Sequence, residues 1–300
     1  MQNYISSISI TYNPELELLS AQLSSLAKQV SYMLVVDNNS DNISEISSIC
    51  SNFANCFLIQ LDSNLGIAHA QNIGIKKSQE LNASHIILFD QDSIPDQLFI
   101  NNLLLDEREL INKNINVAAI GPSFYDPKVN KPYPATVYKG PFLQRVQIID
   151  QPVEASFIIA SGCLIRNSNI EIIGLMKSDF FIDYVDVEWS YRAISMGFKC
   201  YISNKAQMSH TIGDKRISLL GRTISVHTPL RRYYLLRNSL HMCRLPYIPI
   251  GYKIRECIFN PIRFFVSLIT SKNKINTLKY SFFAISDGLK GITGPFNHKV

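Results

Sequence analysis

Through the first 120 residues, short apolar runs alternate with longer segments in which apolar positions recur every three or four residues. The runs at 5–12, 32–36, 57–61, 85–89 and 117–120 predict strands. The intervening segments at 14–28, 43–51, 66–81 and 96–112 predict helices, the first with Pro14 near its opening turn. Strands separated by helices imply right-handed crossovers and a mostly parallel sheet. Ligands of such sheets sit at the carboxyl ends of the strands. Those ends are where this chain keeps its polar residues: Thr11-Tyr12-Asn13, Asp37-Asn38-Asn39-Ser40 and Asp90-Gln91-Asp92.

Beyond residue 120 the pattern loosens. The proline-studded stretch 121–155 predicts a long excursion over the surface, and 157–165, interrupted by Ser161-Gly162, predicts another buried strand. A helix at 183–196 ends at Gly197, a strand follows at 198–202, and from about residue 231 the chain reads as helical and basic.

Composition fits this picture. With 300 residues, 46% of them hydrophobic and 18% charged, the chain suits one large α/β unit with an appendage, or two modest domains. No run approaches the roughly 18 to 20 apolar residues that span a bilayer. Six cysteines include no Cys-x-x-Cys pair, so neither a zinc site nor a disulfide framework is indicated. The start, Met1-Gln2-Asn3-Tyr4, has no signal-peptide character. A cytoplasmic setting is expected.

Charge changes the picture more. The net +5 is unevenly placed: residues 1–214 carry 14 Lys and Arg against 22 Asp and Glu, and residues 215–300 carry 15 against only Glu256 and Asp287. So basic a region, interleaved with aromatics, calls for an anionic partner. Nucleic acid is not the one expected, because acidic residues gather at the strand ends, where they would repel phosphates. A nicotinamide dehydrogenase is disfavoured by the lack of a Gly-x-Gly-x-x-Gly after the first strand.

Asp90 and Asp92 close an apolar run with two like charges one residue apart. Carboxylates so spaced on an extended chain converge on one hard divalent cation. Taken alone, Asp90-Gln91-Asp92-Ser93 reads rather as a solvated turn. The other polar stretches also have plain readings: Asp37-Asn38-Asn39-Ser40 as a turn and N-cap, Asn64-Leu65-Gly66 as a second turn, His210 as a core histidine, and Glu188 with Arg192 as an i, i+4 pair. Asp186 and Glu188 lie about 200° apart on a helix, so only one of them can face a given reactant.

Taken together and in order, these stretches resemble glycosyltransferase family 2, the inverting enzymes of GT-A fold, and within it the bacterial rhamnosyltransferase branch. The resemblance rests on Thr11-Tyr12-Asn13-Pro14, Val36-Asp37-Asn38-Asn39-Ser40, Asn64-Leu65-Gly66 with Asn72-Ile73-Gly74, and Asp90-Gln91-Asp92-Ser93. It continues through Ser161-Gly162, the run from Phe180 to Trp189 with Arg192-Ala193, His210, and Arg232-Tyr233-Tyr234 with Arg237-Asn238.

The resemblance implies a GT-A catalytic domain over residues 1–230, its nucleotide-sugar half about 1–120 and its acceptor half about 121–230, followed by a basic helical region at 231–300. It implies that Asp37 accepts the N3–H of a pyrimidine, with Thr11 and Asn13 in the same crevice and Asn39, Asn64, Gly66 and Asn72 completing the nucleotide-sugar site. Asp90 would hold the ribose, and Asp92, completed by His210, would bind Mg²⁺ or Mn²⁺. Arg232, Tyr233 and Arg237 would meet the diphosphate. Asp186 would be the catalytic base, with Asp183, Glu188, Trp189, Ser161 and Gly162 as auxiliary or acceptor-site residues. Many relatives have Glu-Asp where this chain has Val185-Asp186, which removes a helper carboxylate. The implied donor is dTDP-L-rhamnose and the acceptor a lipid-linked saccharide of O-antigen or capsule synthesis. The alternatives are a different UDP- or dTDP-hexose donor, or a non-catalytic sugar-nucleotide-binding subunit. A peripheral protein on the cytoplasmic face of the inner membrane is expected, held to its anionic surface by the basic C-terminal region.

Overall fold

The computed structural model of the protein describes residues 4–126, 131–209, 216–219, 222–225, 228–271 and 273–299. The first half follows the alternation of the sequence: β1 (Ile5–Thr11), α1 (Leu16–Leu26), β2 (Tyr32–Asp37), α2 (Ile43–Ser51), β3 (Cys56–Gln60), α3 (Ile67–Glu80), β4 (His85–Asp90), α4 (Phe99–Asn112) and β5 (Val117–Asp126). The strands β3, β2, β1 and β4 lie side by side in that order, all parallel. Their register sets Thr11 opposite Asp37 and Ile10 opposite Asp90, so three polar strand ends finish level with one another.

Alternation along the strands supplies both faces of the sheet. In β2, Leu34 and Val36 join a core with α3 residues Ala68, Ala70 and Ile75, and Met33 and Val35 join the opposite core with Leu19 and Leu23 of α1 and Phe99 and Leu103 of α4. Gly74 is where α3 comes closest to the sheet, and a Cβ there would sit 2.4 Å from the Ile8 side chain.

Past β5 the chain departs from the expected loop and long strand. Short strands β6 (Lys131–Pro132), β7 (Ala135–Lys139), β8 (Phe142–Val146) and β9 (Val153–Ala155) occupy the proline-studded stretch, with β7 and β8 forming a hairpin. The strand expected over 157–165 is reduced to β10 (Cys163–Arg166), which runs antiparallel between β4 and β5. Gly162, at φ 77°, turns the chain into it, and Ile159 and Ala160 are left to line a cleft. Helix α5 (Asn167–Ile173) and a 3-10 turn at Ser178–Phe180 lead to α6 (Val185–Ser195) and β11 (Lys199–Ser209), which pairs parallel with β5 and antiparallel with β9.

A hairpin of β12 (Arg216–Leu219) and β13 (Arg222–Ser225) precedes three helices, α7 (Pro229–Arg244), α8 (Ile250–Thr270) and α9 (Lys274–Lys290). The Thr228 side chain caps α7 with Pro229 at its first position, and α7 packs on α9 through Tyr233, Tyr234 and Ala284. No helix among the described residues is long and apolar enough to cross a membrane.

Candidate active site

The carboxyl ends of β1 and β4 open into a cleft of about 570 Å³ whose walls include Thr11, Asn38, Asn64, Gln71, Asp90 and Asp92 from the first half of the chain, and Asp183, Tyr184, Asp186 and Arg231 from the second. Each wall is held by a hydrogen-bond network.

Asp37 lies under the cleft, fully buried. Its Oδ1 accepts from the Thr11 hydroxyl at 2.8 Å and the Ser40 hydroxyl at 2.5 Å, and its Oδ2 accepts from the Ser40 amide at 2.8 Å. The carboxylate expected to read the base therefore fixes Thr11 and the turn after β2. Asn13 and Asn39 occupy left-handed backbone positions beside it; the Asn13 amide donates to the Ser40 hydroxyl and its carboxamide oxygen accepts from the Asp41 amide. Asn64 lines the cleft, and its oxygen accepts from the amide of Gly66. At φ 87°, with a Cβ placed 2.5 Å from the Phe181 carbonyl, position 66 admits only glycine. Asn72, expected at the nucleotide sugar, instead spends its carboxamide on Met176 and Ser178 and joins α3 to the segment before α6.

The Asp90–Asp92 turn is built on Gln22, a fully buried residue in the apolar stripe of α1. Its amide donates to the carbonyls of Asp90 at 2.7 Å and Ser93 at 2.6 Å, and its oxygen accepts from Ser9. Ser161, also fully buried, accepts from the Asp90 amide and bonds the Ser93 hydroxyl at 2.7 Å, so Ser161 and Gly162 brace this turn from behind and do not line the cleft.

Asp186 stands in the first turn of α6, where its carboxylate accepts from the Val187 amide at 2.8 Å and the Ala160 amide at 3.2 Å. Burial outweighs these donors and pushes its pKa up to about 6. Asp90 is likewise pushed up to about 6, by burial, then by the charges of Asp92 and Asp186, with Arg231 pulling the other way. Three carboxylates thus act on one another in a single cleft.

The segment leading into Asp186 is strained: Phe181, Asp183 and Tyr184 all have φ between 63° and 65°, a region non-glycine residues avoid. Asn238 of α7 holds it, its amide donating to the carbonyls of Phe180, Ile182 and Asp183 at 2.9, 2.7 and 3.1 Å. Arg237 adds a bond to the Phe180 carbonyl and one to Gly294, and its guanidinium lies about 5 Å from the ring centres of Tyr233 and Tyr234. Arg237 and Tyr233, expected at the diphosphate, are buried at 0% and 1% exposure and shape the site from within the fold. Arg232 is half-buried and outside the cleft wall, whereas its neighbour Arg231 lines the cleft and pairs with Asp183 at 3.3 Å.

Glu188 is fully buried and bound by Arg192 through two bonds of 2.9 Å, with Tyr247 donating to it as well. Trp189 packs in the core and donates to the Gly174 carbonyl, so it is not an acceptor wall. His210 lies outside the described residues. Gln22, Gln71 and Arg231 are the site residues that sequence reasoning missed.

The donor set suits a hard cation. Asp90 and Asp92 offer oxygen ligands in a cleft where burial, and then the charges of Asp92 and Asp186, raise the proton affinity of Asp90, and a divalent ion would relieve that repulsion. Mg²⁺ at nucleotide sites takes one or two carboxylates, with phosphates and water completing its shell. The described residues accordingly contain no closed cluster of three or more His, Cys, Asp or Glu.

Comparison with known proteins places this geometry. The model of the family described as "Glycosyl transferase family 2" matches residues 6–174. The chain belongs to glycosyl transferase family 2. Within that family it is 37% identical to dTDP-rhamnosyl transferase RfbF of Shigella flexneri, over 98% of both chains. It is 28% identical to the low-salt glycan biosynthesis hexosyltransferase Agl10 of Haloferax volcanii, over 64% of this chain and 62% of that one. Among solved structures, S. aureus TarS 1-349 in complex with UDP-GlcNAc superposes with a TM-score of 0.57 at 17% identity, covering 96% of this chain and 81% of that one. GalNAc-T7 with UDP, GalNAc and Mn²⁺ gives 0.57 at 13% identity, and this chain spans 57% of its length. The fold is that of the GT-A glycosyltransferases of family 2, a mostly parallel sheet between helices followed by a helical C-terminal region.

Proposed function

We propose that this protein transfers L-rhamnose from dTDP-L-rhamnose, with inversion at the anomeric carbon, to a lipid-linked saccharide of bacterial surface polysaccharide. The observation that carries the donor is the 37% identity, over nearly the whole of both chains, to a dTDP-rhamnosyl transferase. The reaction itself is supported by the cleft.

Inversion needs one base on the face of the sugar opposite the leaving nucleoside diphosphate, ionised so that it can take the acceptor's proton as the new bond forms. Asp186 is that base. It lines the cleft with Asp90 and Asp92, whereas Glu188, two residues on, is buried against Arg192. Asp90 and Asp92 would hold Mg²⁺ or Mn²⁺, which when bound neutralises charge developing on the departing diphosphate. Arg231 presents a guanidinium to the same cleft, a group suited to phosphate. Thr11, fixed by Asp37, sits with Asn38 and Asn64 on the wall that receives the nucleotide. The side-chain oxygen of Gln71, buried without a partner among the described residues, suits a sugar hydroxyl. Residues 1–230 carry the catalytic carboxylates, and residues 231–300, packed on them, add Arg231 to the cleft wall and Asn238 beneath it, at the cytoplasmic face of the inner membrane.

The test is a donor panel of dTDP-rhamnose, UDP-hexoses and GDP-mannose against a lipid-linked acceptor, with products read by mass spectrometry and anomeric configuration by NMR. Rhamnosyl transfer with inversion is expected. Preferential use of a UDP-hexose would replace the donor, and consumption of none would leave a sugar-nucleotide-binding subunit.

A further inference from the structure

The helices α8 and α9 turn apolar faces outward. Along α8 the buried side chains are Tyr252, Glu256 and Ser267; Glu256, 1% exposed, pairs with Arg263 at 2.6 Å, and Asn260 donates to Ser239 of α7. The outward positions are Ile250, Ile254, Ile258, Ile262, Phe265 and Ile269, each at least 45% exposed and spaced to form one face. The next helix repeats the arrangement: Thr277, Ser281, Ala284 and Asp287 of α9 are buried, and Ile275, Leu278, Phe282, Ile285 and Leu289 are exposed. A helix of a water-soluble domain turns its apolar stripe to the core. Two successive helices that turn it to solvent form an interaction surface.

Charge identifies the occupant. The acidic residues of α7–α9 are Glu256 and Asp287, and both are buried: Glu256 against Arg263 and Tyr184, Asp287 against Tyr233 and His298. The charged side chains left exposed on these helices are therefore cations, among them Arg244, Lys274, Lys279 and Lys290. A second copy of the chain pairing through this same face would set those cations against their own kind. An anionic lipid surface takes both the apolar stripes and the basic rim.

We propose that α8 and α9 lie flat on an anionic bilayer, with their isoleucines, leucines and phenylalanines at the headgroup–acyl boundary and their lysines and arginines among the lipid phosphates. This rests on the foregoing reading only in expecting a lipid-borne acceptor. The inner side of α8 is tied to the cleft, because the Tyr184 hydroxyl on the cleft wall donates to Glu256 at 2.8 Å.

The test is flotation of the full chain with phosphatidylglycerol-containing vesicles and with pure phosphatidylcholine vesicles, using wild type, Ile258→Asp/Phe265→Asp and Phe282→Asp. Wild type is expected to float with anionic vesicles, less so at raised salt, and each variant to lose at least about tenfold in partitioning, as burial of several apolar side chains is forfeited. Melting curves show the variants folded, since the changed side chains are exposed. A nitroxide on Cys257, exposed beside Ile258, is expected to become shielded from a water-soluble relaxation agent when vesicles are added. Wild type that fails to float, variants that float as well as wild type, or a label that stays water-accessible overturns the proposal. So does sedimentation showing a dimer that the same variants dissociate, which would give the face to a second copy. No arm uses a sugar nucleotide, so a wrong donor assignment leaves the result untouched.

Discussion

Asp186, the base we propose, would work as an anion in a place that resists anions. Burial raises its pKa to about 6 against two backbone amides that favour the charge, so the base is charged above that pH and neutral below it. Turnover should rise with pH through about 6 and level off; a profile flat down to pH 4 would exclude Asp186 as the titrating base. Asp186→Asn should lower kcat by at least roughly 100-fold, the usual worth of a general base, with donor affinity by calorimetry little changed. Glu188→Gln should keep turnover and lose on the order of 2 kcal/mol of stability, because it weakens a buried ion pair; the reverse outcome would make Glu188 the base. Asp90 and Asp92 stand out in the sequence because two like charges closing an apolar run demand an explanation, and Asp186 stands out only through the family resemblance. Gln22 and Gln71 were not: a neutral carboxamide on a helix looks like surface, and only the fold shows that these two are buried.

At the scale of elements, the βα alternation of the first half appears in the structure nearly as the sequence predicts, because each strand and helix there carries its own local periodicity. What was lost depended on distant pairing. The extension of β5 to Asp126 is matched by β11, residues 199–209, and no local signal announces such a partner. The expected strand at 157–165 gave up its first residues to the cleft wall. Arg237, expected at the diphosphate, is buried and with Asn238 grips the segment before Asp186; a buried clamp and a phosphate-binding residue look alike in sequence. Asn238→Ala, which frees the Ile182 and Asp183 carbonyls of the strained segment before Asp186 and leaves Phe180 to Arg237 alone, should lower kcat by about tenfold or more through misplacement of the base. Donor affinity should shift much less, and the turnover profile should keep its rise near pH 6. An equal loss in donor affinity would show that the clamp serves binding.

For the molecule as a whole, opposite charge is segregated: acids surround the sugar-nucleotide cleft, and cations cover the helices behind it. The cleft cannot neutralise its own carboxylates. A chelator should therefore stop transfer reversibly, and added Mn²⁺ with a nucleoside diphosphate should raise the melting temperature of wild type but not of Asp92→Asn; full activity in the chelator would remove the metal from the reaction. Asp90→Asn should melt higher than wild type in metal-free buffer at pH 7.5. A carboxyl whose folded pKa is raised costs stability as pH climbs from its ordinary range to about 6, and the whole cost is present above that pH. The clamp on the base has a consequence for how the protein comes into being. Asn238 is synthesised 55 to 58 residues after the carbonyls it grips, when the strands flanking the cleft have already been made. A ribosome that has laid down the sheet has not yet made the side chain that holds the segment leading into Asp186, so a chain stalled or clipped before α7 lacks that clamp.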